Sequence, residues 1–343
     1  MVRRGEDLVG HREVTDKYAL SIDSYLERYN RAVWEFRENL LDEALEDFDA
    51  AVRMVPTAAA RFNRGLVLLT MGRWREGFES YEARLELMTP PMCRGVKVKR
   101  WHGEEVSGKK LLLVHDAGFG DTIQMLRYVP ELLERGADVH LMVPPELVKL
   151  ASQVAPVTER VVEADFFCPM LSLLHLLDQT PESVPHGPYL HVDRSLVEKW
   201  QRKLSDDGKL RVGVAWSVGR NVDGDYPRAI PLGQMVAALP EDANYYSCQS
   251  QGGEEAARHG VASYTFEDLA DCAAFMKCMD EIVTVDTAAA HVAGATGHPR
   301  VTVLLSHWAS WRWLDNPFYP DVNLCQQKFP GDWESALAEY RSV

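Results

Sequence analysis

The chain has 343 residues, with 51 acidic against 37 basic side chains and a formal charge of −14. A composition of 46% hydrophobic and 26% charged residues is that of a globular protein and excludes a wholly disordered chain. The length predicts two or three domains, and the acidic surface argues against a general grip on nucleic-acid phosphates.

The segment beginning Met1-Val2-Arg3-Arg4 lacks the apolar core of a secretory signal. No apolar run approaches the ~18–20 residues that cross a bilayer, so the expected location is cytoplasmic, with no membrane span. The six cysteines form no C-x-x-C pair. Cys272 and Cys278 sit in an apolar helical stretch and read as buried free thiols in a reducing compartment. No metal site is expected.

The first predicted elements are helical and repeated. Tyr29-Asn30-Arg31-Ala32 returns as Phe62-Asn63-Arg64-Gly65, a shift of 33 residues that also carries Glu43-Ala44 onto Glu76-Gly77, Phe48 onto Tyr81 and Ala50 onto Ala83. Pro56 and Pro90 close the two units. A period near 34, with small residues at fixed places, is the tetratricopeptide pattern of paired helices. Ala32, Ala44, Ala50 and Ala51 would let helices approach closely. Leu45, Phe48 and Val52 would form the apolar stripe. Residues 18–28 supply part of a further helix. Such a module either docks a protein or peptide or simply buttresses the rest of the chain.

Residues 89–108 read as a linker, after which short apolar runs alternate with helical spacing. Strands are predicted at Lys110–His115, Val139–Val143, Val161-Val162 and Tyr189–His191, with a helix over Asp121–Arg135 and another opened by Pro144-Pro145. A second series has strands at Leu210–Trp216, Tyr245–Cys248, Val261–Tyr264, Glu281–Val285 and Val301–Leu305, and a helix over Glu267–Met279. The alternation implies doubly wound α/β lobes, with ligands at the carboxyl ends of the strands. The expected boundaries are 1–90 for the helical repeats, 91–195 for the first lobe and 196–343 for the second.

Three strand-to-loop segments could carry chemistry. His115-Asp116-Ala117-Gly118-Phe119-Gly120-Asp121-Thr122 leaves a strand and enters a helix. Gly118 and Gly120 permit a close backbone approach, and Asp121 is either the helix N-cap or a general base. In Val283 through His291 a strand again runs into a helix start. There Asp286, Thr287, Ala288 and His291 could surround a diphosphate held by backbone N–H groups, or Asp286 could merely cap the helix over a core-facing histidine. The third segment, Val214 through Leu232, offers Ser217 and Gly219 for a phosphate pocket, and Arg220 or Arg228 to neutralise a departing pyrophosphate. Asp223-Gly224-Asp225 resembles a metal-binding Asp-x-Asp but has no further ligand cluster. Trp308, Trp311 and Trp313 either stack on a base or sugar or pack between lobes.

Taken in order from Gly72 to Trp333, these segments resemble the bacterial tetratricopeptide-containing glycosyltransferases related to the heptosyltransferases. The residues carrying the resemblance are Arg73 to Phe78 with Tyr81-Glu82, Trp101-His102-Gly103-Glu104, and Gly118 to Gln124 with Arg127-Tyr128. Arg228 to Leu232, Asp286 to His291 and Trp311-Arg312-Trp313 complete it. The resemblance implies a GT-B fold of two Rossmann-like lobes and metal-independent, inverting transfer from a nucleotide-sugar donor to a hydroxyl acceptor. It implies Asp121 as the base and Asp286, Thr287 and His291 along the donor, with Gln124, Arg228 and Trp311 as further possible site residues. Ala288 replaces the family's glycine, Asp116-Ala117 stands where the family has Glu-Gln, and Ser217-Val218-Gly219-Arg220 stands where it often has Gly-Asn-Pro. These departures keep two alternatives in view: a non-catalytic nucleotide- or sugar-binding scaffold, and a transferase acting on modified nucleic acid.

Overall fold

The computed structural model describes residues 24–88, 98–159, 163–218 and 228–342. Cys93, Pro90, the predicted strand at Val161-Val162, and Gly219, Arg220 and Asp223-Gly224-Asp225 lie outside the described residues, as does the 18–23 part of the predicted extra helix. The chain falls into two compact units. One is Met1–Arg94 with Asp178–Thr180; the other is Gly95–Leu177 with Pro181–Val343.

The first unit is helical: α1 (24–37), α2 (Leu41–Met54), α3 (Ala58–Thr70), α4 (Trp74–Tyr81) and α5 (Arg84–Leu87). Thr57 caps α3, its side chain accepting the Ala60 N–H at 3.1 Å. The 33-residue recurrence in the sequence reappears as a recurrent contact. Tyr29 meets Phe48 with ring centroids 5.8 Å apart, and their counterparts Phe62 and Tyr81 meet at 5.2 Å. Gly65, the counterpart of Ala32, lies so close to α4 that a Cβ there would sit 2.7 Å from the Tyr81 nitrogen. The buried face of α2 is Ala44, Asp47, Phe48 and Ala51, one residue away from the predicted Leu45–Phe48–Val52 stripe. The face turns because Asp47 can be buried: Arg28 and Arg31 both bond its carboxylate, and the Arg31 hydrogen bond heads the interactions holding Asp47 below the usual carboxylate range.

The second unit is mixed α/β with two parallel sheets. The first contains β1 (Lys99–Arg100), β2 (Lys110–Val114), β3 (Asp138–Met142) and β4 (Phe166–Pro169), in the order β1-β4-β2-β3. The second contains β5 (Leu210–Ala215), β6 (Ala243–Ser247), β7 (Val261–Ala262), β8 (Glu281–Val285), β9 (Val301–Leu305) and β10 (Asn323–Gln326), in the order β10-β9-β8-β5-β6-β7. Every strand pairing in both is parallel. All residues of β8 and β9 are buried, as expected of strands covered on both faces.

The crossovers supply the helices. Those of the first lobe are α6 (Phe119–Met125), α7 (Val129–Glu134), α8 (Val148–Ala151) and α9 (Leu173–Leu176). Then come α10 (Arg194–Gln201), α11 (Leu232–Val236), α12 (Gly253–Arg258), α13 (Leu269–Met276), α14 (Ala288–Ala295) and α15 (Trp333–Tyr340). One core cluster joins Val212, Val214, Val283, Val285 and Leu304 of the second sheet to Trp333 and Leu337 of α15. Among the described residues no helix is long and apolar enough to cross a membrane.

Several expectations need correction. Tyr189–His191 is not a strand: the N–H groups of Tyr189 and Leu190 both donate to the Ala295 carbonyl, at 3.0 and 3.1 Å. The segment therefore caps the carboxyl end of α14, where helix carbonyls lack partners, and joins no ladder. The helix predicted over Glu267–Met279 shortens to α13, because Asp268 caps it by accepting the Asp271 N–H at 2.9 Å. Strand β1 lies inside the stretch read as linker, and β10 had no counterpart among the predictions.

Both sheets have a topological switch point. From β2 the chain adds β3 on one side and β4 on the other, and from β5 it adds β6 on one side and β8 on the other. At such points the loops leaving two neighbouring strands diverge and open a crevice at their carboxyl ends.

Candidate functional site

In each lobe one side chain ties down the loop that leaves the central strand of the switch point. In the first lobe the Asp116 carboxylate, just beyond β2, accepts the Leu171 N–H at 3.0 Å, joining the loops after β2 and β4. In the second, Gln249 reaches from the end of β6 to the end of β5. Its Oε1 accepts the N–H groups of Trp216 and Ser217 at 2.9 and 3.1 Å, and its Nε2 donates to Ser217 Oγ at 2.8 Å and to the Gln251 carbonyl at 2.9 Å. Ser217 is thus half-buried and oriented by Gln249. Gln249 was not singled out in the sequence, because its partner lies 32 residues away and no local pattern marks it.

The first strand-to-helix turn presents Asp121 as the third residue of α6. Gly118 is the N-cap. Asp121 Oδ2 accepts the Gly118 N–H at 3.0 Å, while Oδ1 pairs with Arg312 Nη2 at 2.6 Å. Asp121 is therefore not the N-cap, and its carboxylate faces the second lobe. Beside it, His115 Nδ1 and Thr122 Oγ1 are 2.6 Å apart, and burial pushes the His115 imidazole below its usual range. Gln124, one turn further into α6, is fully buried, and its side-chain amide has no hydrogen-bond partner among the described residues.

The second turn presents Asp286, Thr287 and Ala288. Thr287 is the N-cap of α14 and Asp286 precedes it, so Asp286 is not the cap. Asp286 is only 7% exposed. It pairs with Arg228 Nη1 at 3.3 Å and lies 3.9 Å from His291 Nε2. Thr287 and Ala288, partly exposed, lead the helix whose first N–H groups have no intrahelical acceptors. His291 is 4% exposed, its ring tilted against Trp313 with centroids 5.2 Å apart and its Nδ1 3.2 Å from Tyr319 Oη. Burial pushes it down to about 4, so it is neutral at pH 7. It lies behind the helix start, not at the surface with Thr287.

The two turns meet. A Cβ added to Gly120 would fall 2.4 Å from His291 Cδ2, so only glycine lets α6 lie this close to α14. The contact continues below them. Arg127, 3% exposed, donates to the carbonyls of Gln124, Pro185 and Phe318 at 3.0, 3.1 and 2.9 Å. Its guanidinium lies over the rings of Tyr189, Phe318 and Tyr319 at 4.8, 5.1 and 4.9 Å. Trp311 and Trp313 are buried in this region, and the Arg312 guanidinium stacks on Trp311 at 4.4 Å. Of the predicted site residues, Gly118, Gly120, Asp121, Asp286, Thr287, Ala288, His291 and Arg228 thus gather around the two facing turns. Ser217 stands at the end of β5, Gln124 is buried on α6, and Arg220 lies outside the described residues. Among the described residues no cluster of three or more histidine, cysteine, aspartate or glutamate side chains could hold a metal ion.

No family model matches the chain. Among curated proteins it is similar to Protein FlbA of Caulobacter vibrioides, 26% identical over a 357-residue alignment that covers 90% of this chain and 59% of the relative. The chain thus spans less than two thirds of the relative's length. Among solved structures it is similar to a family 9 glycosyl transferase from Veillonella parvula, with a TM-score of 0.48, 10% identity, and 65% of this chain and 87% of that one covered. It is also similar to the E. coli ADP-heptose lps heptosyltransferase II, with a TM-score of 0.46, 14% identity, and 68% and 98% coverage. Strand order and register define the fold of this chain independently of these likenesses.

Proposed function

We propose that the chain is a glycosyltransferase of the GT-B kind that moves a sugar from a nucleoside-diphosphate donor to a hydroxyl acceptor by inversion and without a metal. One observation carries the reading: the turns at the two switch points face each other, with Gly120 against His291 and Asp121 held to Arg312 across the lobes at 2.6 Å. A carboxylate from one lobe and a helix start from the other are the parts that such a transfer needs.

The donor diphosphate would sit at Thr287 and Ala288, where helix N–H groups favour negative charge, with Arg228 alongside and Ser217 at the neighbouring strand end. Asp121 would take the proton of the acceptor hydroxyl as its oxygen attacks the sugar carbon. The carbon–oxygen bond to the diphosphate breaks with its electron pair leaving on the diphosphate. His291, neutral and buried, supports this surface from behind. The recurring helical contacts of the first unit are taken as tetratricopeptide-like, with a protein or peptide acceptor as their partner.

Proton transfer of this kind contributes about 10²–10⁴-fold. The test is Asp121→Asn, assayed by release of nucleoside diphosphate from a panel of nucleotide sugars. Turnover is expected to fall by that factor while nucleotide binding persists, and undiminished turnover refutes the role. The second reading, a non-catalytic nucleotide-binding scaffold, is favoured by the engagement of both Asp121 oxygens. It requires binding without release of diphosphate by the wild-type chain.

A further inference from the structure

Both Asp121 oxygens already accept a hydrogen bond, and the oxygen that faces the second lobe is covered by a guanidinium. One holds the Gly118 N–H at 3.0 Å and the other holds Arg312 Nη2 at 2.6 Å. The Gly118 bond lies within the turn, whereas the Arg312 bond joins the lobes. Arg312 is only 15% exposed at its side chain and lies over the Trp311 ring, with its Nη2 on Asp121, so it faces this crevice and not bulk solvent. Gly120, the neighbour of Asp121, packs against His291 of α14, which places the pair beside this helix.

We infer that Arg312 is a donor-binding residue that also gates Asp121: it masks the carboxylate in the free protein and transfers to the donor diphosphate when that arrives. The inference rests on the transferase reading. A diphosphate is the stronger partner for a planar guanidinium, since it offers more oxygens and more charge than one carboxylate. Its arrival at α14 draws Arg312 away and leaves Asp121 Oδ1 free to accept the acceptor's proton. The sequence of events is therefore donor first, acceptor second. During transfer Arg312 neutralises the leaving diphosphate, a task for which the sequence alone pointed to Arg220 or Arg228.

The test measures binding of UDP, GDP, ADP and CDP, and of the matching nucleosides, to the full chain by calorimetry. Arg312→Gln should weaken the preferred nucleoside diphosphate by about tenfold or more, leave the nucleoside unchanged, and be partly rescued by Arg312→Lys. Asp121→Asn should move the same affinity the other way, tightening it by roughly threefold, because the guanidinium no longer has to leave a carboxylate. A purely structural ion pair would lower affinity in both variants, and that outcome overturns the inference. So does Arg312→Gln binding as tightly as wild type. Failure of the wild-type chain to bind any of the four diphosphates sinks the transferase reading itself, and is distinguishable from either.

Discussion

The two strand-to-helix turns follow the same local pattern, each with an aspartate paired to an arginine, and differ in how deeply that aspartate is buried. In the first, Asp121 stands at the third position of α6, half-buried, and holds a cation from the other lobe. In the second, Asp286 stands before the N-cap of α14, nearly out of solvent, with Arg228 and His291 around it. A carboxylate that must exchange partners has to stay within reach of solvent, whereas one that shapes a helix start can be buried once its charge is balanced. Under the proposed transferase reading, this difference suits Asp121 to proton transfer and Asp286 and His291 to support.

The largest effect that would sharpen this contrast is a pH dependence of stability. The His291 imidazole is pushed down to about 4 by burial, while in the unfolded chain it titrates near 6.5. The unfolded state therefore binds the proton first. The stabilisation is complete above about pH 6.5 and falls as pH drops toward 4, by about 3 kcal/mol in total for this one group. Urea midpoints for wild type should decline from pH 6.5 to 5 more steeply than those of His291→Gln. Parallel declines would mean that the histidine is not buried neutral behind the second turn.

The next effect tests the contact between the turns. Gly120→Ala forces a Cβ to within 2.4 Å of an imidazole already packed against Trp313 and Tyr319, and should cost about 2 kcal/mol. Gly118→Ala is the matched control. Its backbone φ of −71° suits any residue, and the added Cβ meets only the Asp121 carboxylate, at 3.2 Å. A cost under about 0.5 kcal/mol is expected there. Equal costs in chemical denaturation would break the account of why the lobes approach at residue 120. Between these two lies Gln249→Ala, which strips the latch from the end of β5. It should cost about 1 kcal/mol and weaken nucleoside-diphosphate binding while leaving the first turn untouched. Unchanged affinity would remove Ser217 from the donor side.

The sequence by itself determined what local pattern can carry. β8 and β9 were legible to the residue, because strands covered on both faces read as near-continuous apolar, β-branched runs, interrupted here only by Glu281, Thr284 and Thr302. The 33-residue recurrence was legible because similar helix pairs need similar small and aromatic residues at the same places, and the Tyr29–Phe48 and Phe62–Tyr81 contacts recur accordingly. The two Gly- and Ala-rich helix starts were visible for the same reason. The Tyr189–His191 segment was misread because an extended stretch looks like a strand until the partner of its N–H groups is known, and here that partner is the end of a helix. Only the tertiary structure decided that the turns face each other, that Arg312 rather than a nearby residue meets Asp121 191 positions away, and that Arg127 lies among three rings from distant segments. Backbone conformation and apolar periodicity are set by neighbours along the chain. Ion pairs and burial depend on which surfaces the folded sheets bring together, and no spacing in the sequence records that.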